Sequence, residues 1–285
     1  MFQSIDEVQK KLAEEKYLAS EKIATAVFLA CRLEKPLLVE GPAGVGKTEL
    51  GKVVAKILGA RLVRLQCYEG LDEAKALYEW NYPKQLLYIQ SCFRENSWDK
   101  VRRDIYTPEF LLARPLLEAL TSNEPTTLLI DELDKSDEEF ESFLLEALSE
   151  FQVSIPELGT IKAVKRPTVV ITSNNARQFS DALKRRCIYL YIDYPKFEHE
   201  LQIIRLKITD IKEELARQVV RFVQTVRKLP LNKKPSISET LDWARTLSLL
   251  KVESLNQAAV ENSLMVLLKN QQDLEQVQKK VPHLL

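Results

Sequence analysis

The stretch LLVEGPAGVGKTEL at residues 37–50 limits what this chain can fold into more than any other feature. Gly41, Pro42, Ala43, Gly44, Val45, Gly46, Lys47 and Thr48 match the spacing G-x-x-x-x-G-K-[ST]. A loop that wraps phosphate must turn successive backbone N–H groups inward, a path that side chains obstruct and glycine permits. The helix that follows adds its N-terminal partial positive charge, Lys47 can reach the β- and γ-phosphates, and Thr48 can ligate Mg²⁺. The flanks agree with this reading. KPLLVE (35–40) is a short apolar run suited to a buried parallel strand, and Leu50, Val53, Val54, Ile57 and Leu58 recur at helical spacing. Strand, glycine loop and helix stand in the order that a nucleoside triphosphate site requires.

With 285 residues the chain can bury a large core and is expected to form one large domain and a smaller one. Lysine plus arginine equals aspartate plus glutamate, at 41 each, which leaves no global basic field and argues against nucleic acid as the partner. Cys31, Cys67, Cys92 and Cys187 are scattered without a C-x-x-C pair, and His199 and His283 have no ligand-like spacing, so a zinc site is not expected. The N-terminal MFQSIDEVQKKLAEEKYLAS lacks the apolar core of a signal peptide, and no run approaches bilayer-spanning length. A soluble, cytoplasmic chain without membrane contact is the expectation.

Four further strands are expected at RLVRLQC (61–67), TTLLID (126–131), PTVVITS (167–173) and CIYLYID (187–193). Helical patterns separate most of them, which argues for a parallel α/β sheet. Beyond about residue 197 the amphipathic helices EELARQVVRFVQTVRKL and ISETLDWARTLSLL follow, joined by the turn-prone PLNKKP. An α/β domain is therefore expected over residues 1–195 and a helical domain over 196–285. Two segments interrupt the scheme: residues 68–110, long and aromatic, and residues 151–166, which read as a hairpin around Leu158-Gly159-Thr160. Ser4 with Glu7, and Ser136 with Glu139, have the spacing of capping boxes, and Ser20 is expected to cap a second helix.

TLLIDELDK ends a buried strand in adjacent carboxylates, Asp131 and Glu132. A phosphoryl-transfer site needs one carboxylate to hold Mg²⁺, usually through its water, and another to polarise the attacking water. We assign Asp131 to the metal, with Thr48, and Glu132 to the water; the plainer alternative is an acidic turn before a helix. Past the strand TVVITS, Asn174 and Asn175 are either turn formers or amides that orient the attacking water, with Asn174 preferred. Arg185 and Arg186 precede the last strand. ATP hydrolysis needs a guanidinium on the transferring phosphoryl group, often supplied in trans, and the glycine-loop region provides none. The site is then half of an active site that a neighbouring subunit completes.

Taken together these residues resemble the AAA+ ATPases over nearly the whole chain: GPAGVGKT as Walker A, LLIDE as Walker B, VVITSNN as a sensor-1 strand, LKRRC as an arginine-finger region, and a helical lid. YLASEKIATAVFLACRLEKPLLVEGPAGVGKT, CYEGLDEAKALYEWNYPKQLL and SISETLDWARTL resemble the MoxR branch, and its CoxD-like members in particular. The resemblance implies a P-loop NTPase three-layer αβα domain with a parallel five-stranded sheet of order 5-1-4-3-2, followed by a small all-α lid. It implies a ring, commonly a hexamer, with ATP and Mg²⁺ bound between subunits. Residues 68–110 would be an insert at helix 2 and 151–166 a hairpin before sensor 1, both on the pore face. Lys47 and Thr48 would bind phosphate and Mg²⁺, Asp131 and Glu132 would carry hydrolysis, Asn174 would be sensor 1, and Arg186, or its neighbour Arg185, the finger. Family members act as chaperone-like factors that mature metalloenzymes or assemble complexes, often beside a von Willebrand factor A domain protein. CoxD-like members are associated with the molybdenum–copper site of carbon monoxide dehydrogenase. One departure stands out: where the family often has a sensor-2 arginine this chain has Ser238, with Arg245 two helical turns further on.

Three rival readings remain. A P-loop small-molecule kinase would need an acceptor pocket and a lid within the sheet domain, whereas here the helices follow the sheet. A motor on nucleic acid would use Lys162, Lys165 and Arg166 in the hairpin and KVRR at 100–103. A nucleotide-gated scaffold would bind ATP and barely turn it over.

Overall fold

The computed structural model describes residues 2–92, 101 and 103–284. Lys100 and Arg102 of the KVRR run lie outside the described residues. Two compact units divide the chain. The first comprises Ala19–Glu40 and Thr48–Leu190 with the N-terminal residues up to Glu15; the second comprises Lys16–Leu18, Gly41–Lys47 and the residues from Tyr191 onward.

The first unit is built on the five-stranded sheet. Its strands are β1 (Leu37–Glu40), β2 (Arg61–Gln66), β5 (Thr126–Asp131), β8 (Thr168–Ser173) and β9 (Ile188–Tyr191), in the spatial order β2-β5-β8-β1-β9. That is the expected order, read from the opposite edge. The pairings β2–β5, β5–β8 and β1–β8 are parallel. Buried on both faces, β1 and β5 are near-continuous apolar runs, as parallel strands under helices must be. Leu38, Val63, Leu65, Leu128, Ile130, Val169 and Ile171 pack with Leu116, Leu117, Phe140 and Leu144 of the helices Pro115–Thr121 and Glu138–Glu150 in one core. On the helix Lys47–Ile57, Gly51 lies against Leu129, and a methyl group at Gly51 would stand 2.7 Å from Leu129 Cδ1.

Local chemistry departs from the sequence reading at four places. The helix after β5 is capped by Asp137, which accepts from Phe140 N, and not by Ser136. A 3₁₀ turn over Leu133–Lys135 precedes the helix, and Ser136 ends that turn by donating to Leu133 O. The first helix is capped by Ser4, but Glu7 accepts from Gln3 N, so its box is offset by one residue. The hairpin pairs β6 (Gln152–Ile155) with β7 (Gly159–Lys162), so its turn lies before Gly159 rather than around it. Lastly, the segment 68–110 contains a strand that the sequence reading did not name. Its β3 (Tyr78–Trp80) pairs antiparallel with β4 (Leu111–Ala113), a short sheet that period-2 reading missed because each strand has three residues. Ser20 caps the second helix as expected.

Cys31, Cys67 and Cys187 are buried in the first unit. Burial pushes the Cys31 thiol up to about 11 and those of Cys67 and Cys187 up to about 12, so all three are protonated core residues at neutral pH. Among the described residues no helix is long and apolar enough to cross a membrane.

Beyond β9 the second unit is helical, with Phe197–Lys207, Glu213–Arg227, Ile237–Leu249, Gln257–Leu267 and Gln271–Gln278 as its main helices. Trp243 and Phe222 meet at 5.2 Å in its core, and Trp243 Nε1 donates to Ser263 Oγ. Inside this apolar packing lies one fully paired charge. Arg227 donates to both carboxylate oxygens of Glu200 at 2.7 Å, and also to Pro235 O and Thr240 Oγ1. Glu200 is fully buried and Arg227 nearly so. The fork thus ties three helices and the PLNKKP connection together.

Removing one partner of such a pair leaves an uncompensated buried charge. Arg227→Met is expected to cost about 3–5 kcal/mol in urea unfolding, and pairing it with Glu200→Leu to recover most of that loss.

Candidate nucleotide site

The glycine loop belongs to the second unit, and its shape explains its composition. Gly41 has φ 151°, and a Cβ there would stand 1.9 Å from Ile192 O. Gly44 has φ 71°, and a Cβ there would meet Ser236 Oγ at 2.3 Å, with Ser238 Oγ 3.7 Å away. Both positions exclude any side chain on steric and backbone grounds. Lys47 is buried, and its ammonium donates to Gly41 O at 2.8 Å and Pro42 O at 2.6 Å, so it lies folded over the loop it follows. Ser236 begins the helix Ile237–Leu249 with a complete capping box to Glu239. Arg245 lies further along that helix, exposed and 3.8 Å from Asp242.

At the C-terminal ends of β5 and β8 the first unit gathers a polar cluster. Asp131 is buried and ends β5. Its Oδ1 accepts from Thr48 Oγ1 at 2.8 Å and Thr172 Oγ1 at 2.6 Å; its Oδ2 accepts from Arg64 Nε at 3.1 Å and Nη2 at 2.5 Å. Burial pushes the Asp131 carboxyl up, but the donated bonds from Thr172, Thr48 and Arg64, with the Arg64 charge, outweigh it and hold the group below the usual carboxylate range. A buried ionised carboxylate beside a threonine hydroxyl is a hard-oxygen pair of the kind that suits Mg²⁺.

Glu132 leaves the strand in the left-handed region, φ 57° and ψ 49°, a conformation that costs a non-glycine residue roughly 1–2 kcal/mol. Its N–H donates to Thr172 Oγ1. One carboxylate oxygen accepts from Asn174 Nδ2 at 3.1 Å; the other accepts from Gln66 Nε2 at 2.9 Å and pairs with Lys135 Nζ at 2.6 Å. Of the two asparagines, Asn174 thus reaches Glu132. Asn175 takes φ 62°, and its N–H goes to Ser173 Oγ.

A second set of carboxylates braces this cluster. Asp134 accepts from the backbone N–H groups of Asn174 and Ala176. Glu141 accepts from Ser180 N, Ser180 Oγ and Arg177 Nη1, and Ser180 caps the helix Asp181–Arg186. Arg185 and Arg186 end that helix, exposed, and neither makes an ion pair among the described residues.

A family model for the AAA domain (dynein-related subfamily) matches residues 36–187, over half of the chain. The chain belongs to this family. The chain is also similar to the gas vesicle ATPase GvpN of Haloferax mediterranei, 26% identical over 208 residues that cover 68% of this chain and 57% of that protein. The Holliday junction branch migration complex subunit RuvB of Mesomycoplasma hyopneumoniae is 23% identical over 231 residues, covering 76% of this chain and 58% of its own. The chain therefore spans less than two thirds of the length of these two relatives. Among solved structures, the RuvB branch migration motor of Thermotoga maritima superposes with a TM-score of 0.51 at 19% identity, over 89% of this chain and 69% of that one, which establishes a shared P-loop AAA+ fold.

Sequence reasoning missed several members of the AAA domain's polar cluster. Thr172, Gln66, Lys135, Asp134, Glu141 and Arg177 carry no motif, and only their registers and turns bring them together. Arg64 is a further member that no motif announces: it reaches Asp131 from β2, and its sole sequence signal is a charge in the outward phase of that strand.

Glu141 offers a pH test. Burial pushes its carboxyl up, but the bonds from Ser180 and Arg177 prevail and hold it below its ordinary value of 4.5. Its stabilisation is therefore complete above that value and is lost as pH falls through the lower folded-state pKa. Glu141→Gln is expected to cost about 1–3 kcal/mol at neutral pH in chemical unfolding, with the gap to the parent protein closing as pH falls below the ordinary carboxylate value.

Proposed function

We propose that this chain is the ATPase subunit of an oligomeric ring of the MoxR type, in its CoxD-like branch, hydrolysing ATP to remodel or mature a protein client in the cytoplasm. The observation that carries the reading is the convergence of Thr48, Asp131, Glu132 and Asn174 within hydrogen-bond distance at one end of the sheet. The working division is a nucleotide-binding domain over 1–195 and a helical lid over 196–285.

In this reading the backbone of Gly41–Lys47 and the Lys47 ammonium hold the phosphates, and Thr48 with Asp131 holds Mg²⁺. Bound there, Mg²⁺ neutralises charge on the β- and γ-phosphates. Glu132 accepts a proton from the water that attacks the γ-phosphorus, while the bond to the β–γ bridging oxygen breaks to leave ADP and phosphate. Asn174 holds Glu132 and the water in line. Arg186, or Arg185 beside it, serves a neighbour's site, and their exposure, with no ion pair among the described residues, supports that role.

The client is a protein, such as a metalloenzyme, with a von Willebrand factor A domain protein as a second partner. A motor on nucleic acid is the competing reading, favoured by the likeness to RuvB. Against it, Arg166 of the hairpin region is already engaged, pairing with Glu34 and lying over the Phe151 ring. Within the hairpin region that leaves Lys162 and Lys165, a small patch in a chain of balanced charge.

Lys47→Ala is expected to abolish binding of a fluorescent ATP analogue. Glu132→Gln should bind ATP, favour the ring in light scattering and lose at least about 100-fold in turnover. Arg186→Ala should bind ATP and hydrolyse it poorly, and wild-type specific activity should climb with protein concentration as the ring forms. Full turnover in Arg186→Ala and Arg185→Ala, or flat activity from a monomer, would remove the shared site; duplex DNA that stimulates turnover in a salt-sensitive way would favour the nucleic-acid motor.

A further inference from the structure

We propose that Arg64 is the resident counter-cation of Asp131, and that it leaves Asp131 as magnesium-bound nucleotide enters. The inference rests on the ATPase reading above and adds a positioning residue to it.

Strand register places the pair. Arg64 lies opposite Leu129 in the β2–β5 pairing, which makes Asp131 its diagonal neighbour, and Gln66 lies opposite Asp131 itself. Arg64 and Gln66 are two residues apart and share one face of the edge strand. A carboxylate offers about four lone-pair sites. Asp131 receives four donated bonds: one from Thr48, one from Thr172 and two from Arg64. Its acceptor capacity is therefore full, and neither a metal ion nor a water of its shell can engage it until a donor withdraws.

The three donor side chains differ in their freedom to do so. Thr172 is buried within the sheet, and Thr48 is the other oxygen of the expected metal pair. The Arg64 side chain is 45% exposed, so its guanidinium is hydrated when it leaves, and the loss at Asp131 is offset only as the metal arrives. A divalent cation approaches oxygen more closely and carries twice the charge, so it prevails once bound with nucleotide.

The exchange reaches Gln66 as well. Arg64 Nη2 also donates to Gln66 Oε1 at 2.5 Å, and the Gln66 amide nitrogen donates to Glu132. When Arg64 departs, Gln66 Oε1 loses that donor, while the Gln66 amide nitrogen stays within reach of Glu132, Asp131 O and Cys67 O.

The test is equilibrium binding of a fluorescent ATP analogue, titrated with Mg²⁺, to the full chain and to Arg64→Met and Arg64→Lys. The Mg²⁺ concentration for half-maximal tightening is expected to fall about three- to tenfold in Arg64→Met, with Arg64→Lys in between. In EDTA without nucleotide, Arg64→Met should melt below the parent, and Mg²⁺ with nucleotide should raise its Tm by more. An unchanged or higher Mg²⁺ requirement in Arg64→Met would overturn the proposal and leave Arg64 a brace or a direct phosphate ligand. Should Arg64→Met not fold, the Arg64→Lys comparison decides in the same way. Failure of the parent chain to bind the analogue at any Mg²⁺ level would overturn the ATPase reading itself, and this proposal with it.

Discussion

The rest of the site depends on one carboxylate. Asp131 is ionised where almost no water reaches it, a state that costs several kcal/mol unless donors repay it. Those donors come from three places in the chain: Thr48 at the start of the helix after the glycine loop, Thr172 on the central strand, and Arg64 on the edge strand. Satisfying Asp131 therefore fixes how the helix, the sheet centre and the sheet edge meet. The Thr172 hydroxyl does double duty, donating to Asp131 and accepting from the Glu132 backbone, so the strained turn at Glu132 is held from the same point.

The second unit relies on the same physics in a drier setting. Glu200 and Arg227 sit among Leu, Val and Trp side chains, where a lone charge would not be tolerated, and each exhausts its partners locally. Arg227 also holds Pro235 O and Thr240 Oγ1, on either side of Ser236. That bracket sets the start of the helix Ile237–Leu249, where Ser236 closes on Gly44 of the glycine loop. A buried ion pair here specifies geometry more than it adds stability.

The glycine loop, the acidic strand end and the positions of the five strands were legible in the sequence, because glycine spacing, apolar runs and helical periodicity are local signals, whereas the order of the strands came from the family resemblance. That Asp131 and Glu132 stand together at the end of a buried strand could be read from position alone. What could not be read were the partners. Nothing in RLVRLQC announces that Arg64 lies diagonal to Asp131, because register is set by pairing and not by any residue of the strand itself. The cap at Asp137 was misjudged as Ser136 for a related reason: a 3₁₀ turn shifted the helix start by one residue, and capping-box spacing does not reveal such a turn. The pairing of β3 with β4 joins segments thirty residues apart, beyond the reach of any local pattern.

The parity of β2 has an evolutionary consequence. Arg64 and Gln66 face Asp131 only while the strand keeps its count, and Val63 and Leu65 face the core by the same alternation. One residue inserted or deleted between Arg61 and Val63, with the pairing at Arg61 kept, would turn both polar side chains into the hydrocarbon interior and the apolar ones outward. Divergence along this strand is then confined to point replacement, whereas the turn at Pro156–Leu158, outside any strand pairing, can lengthen freely.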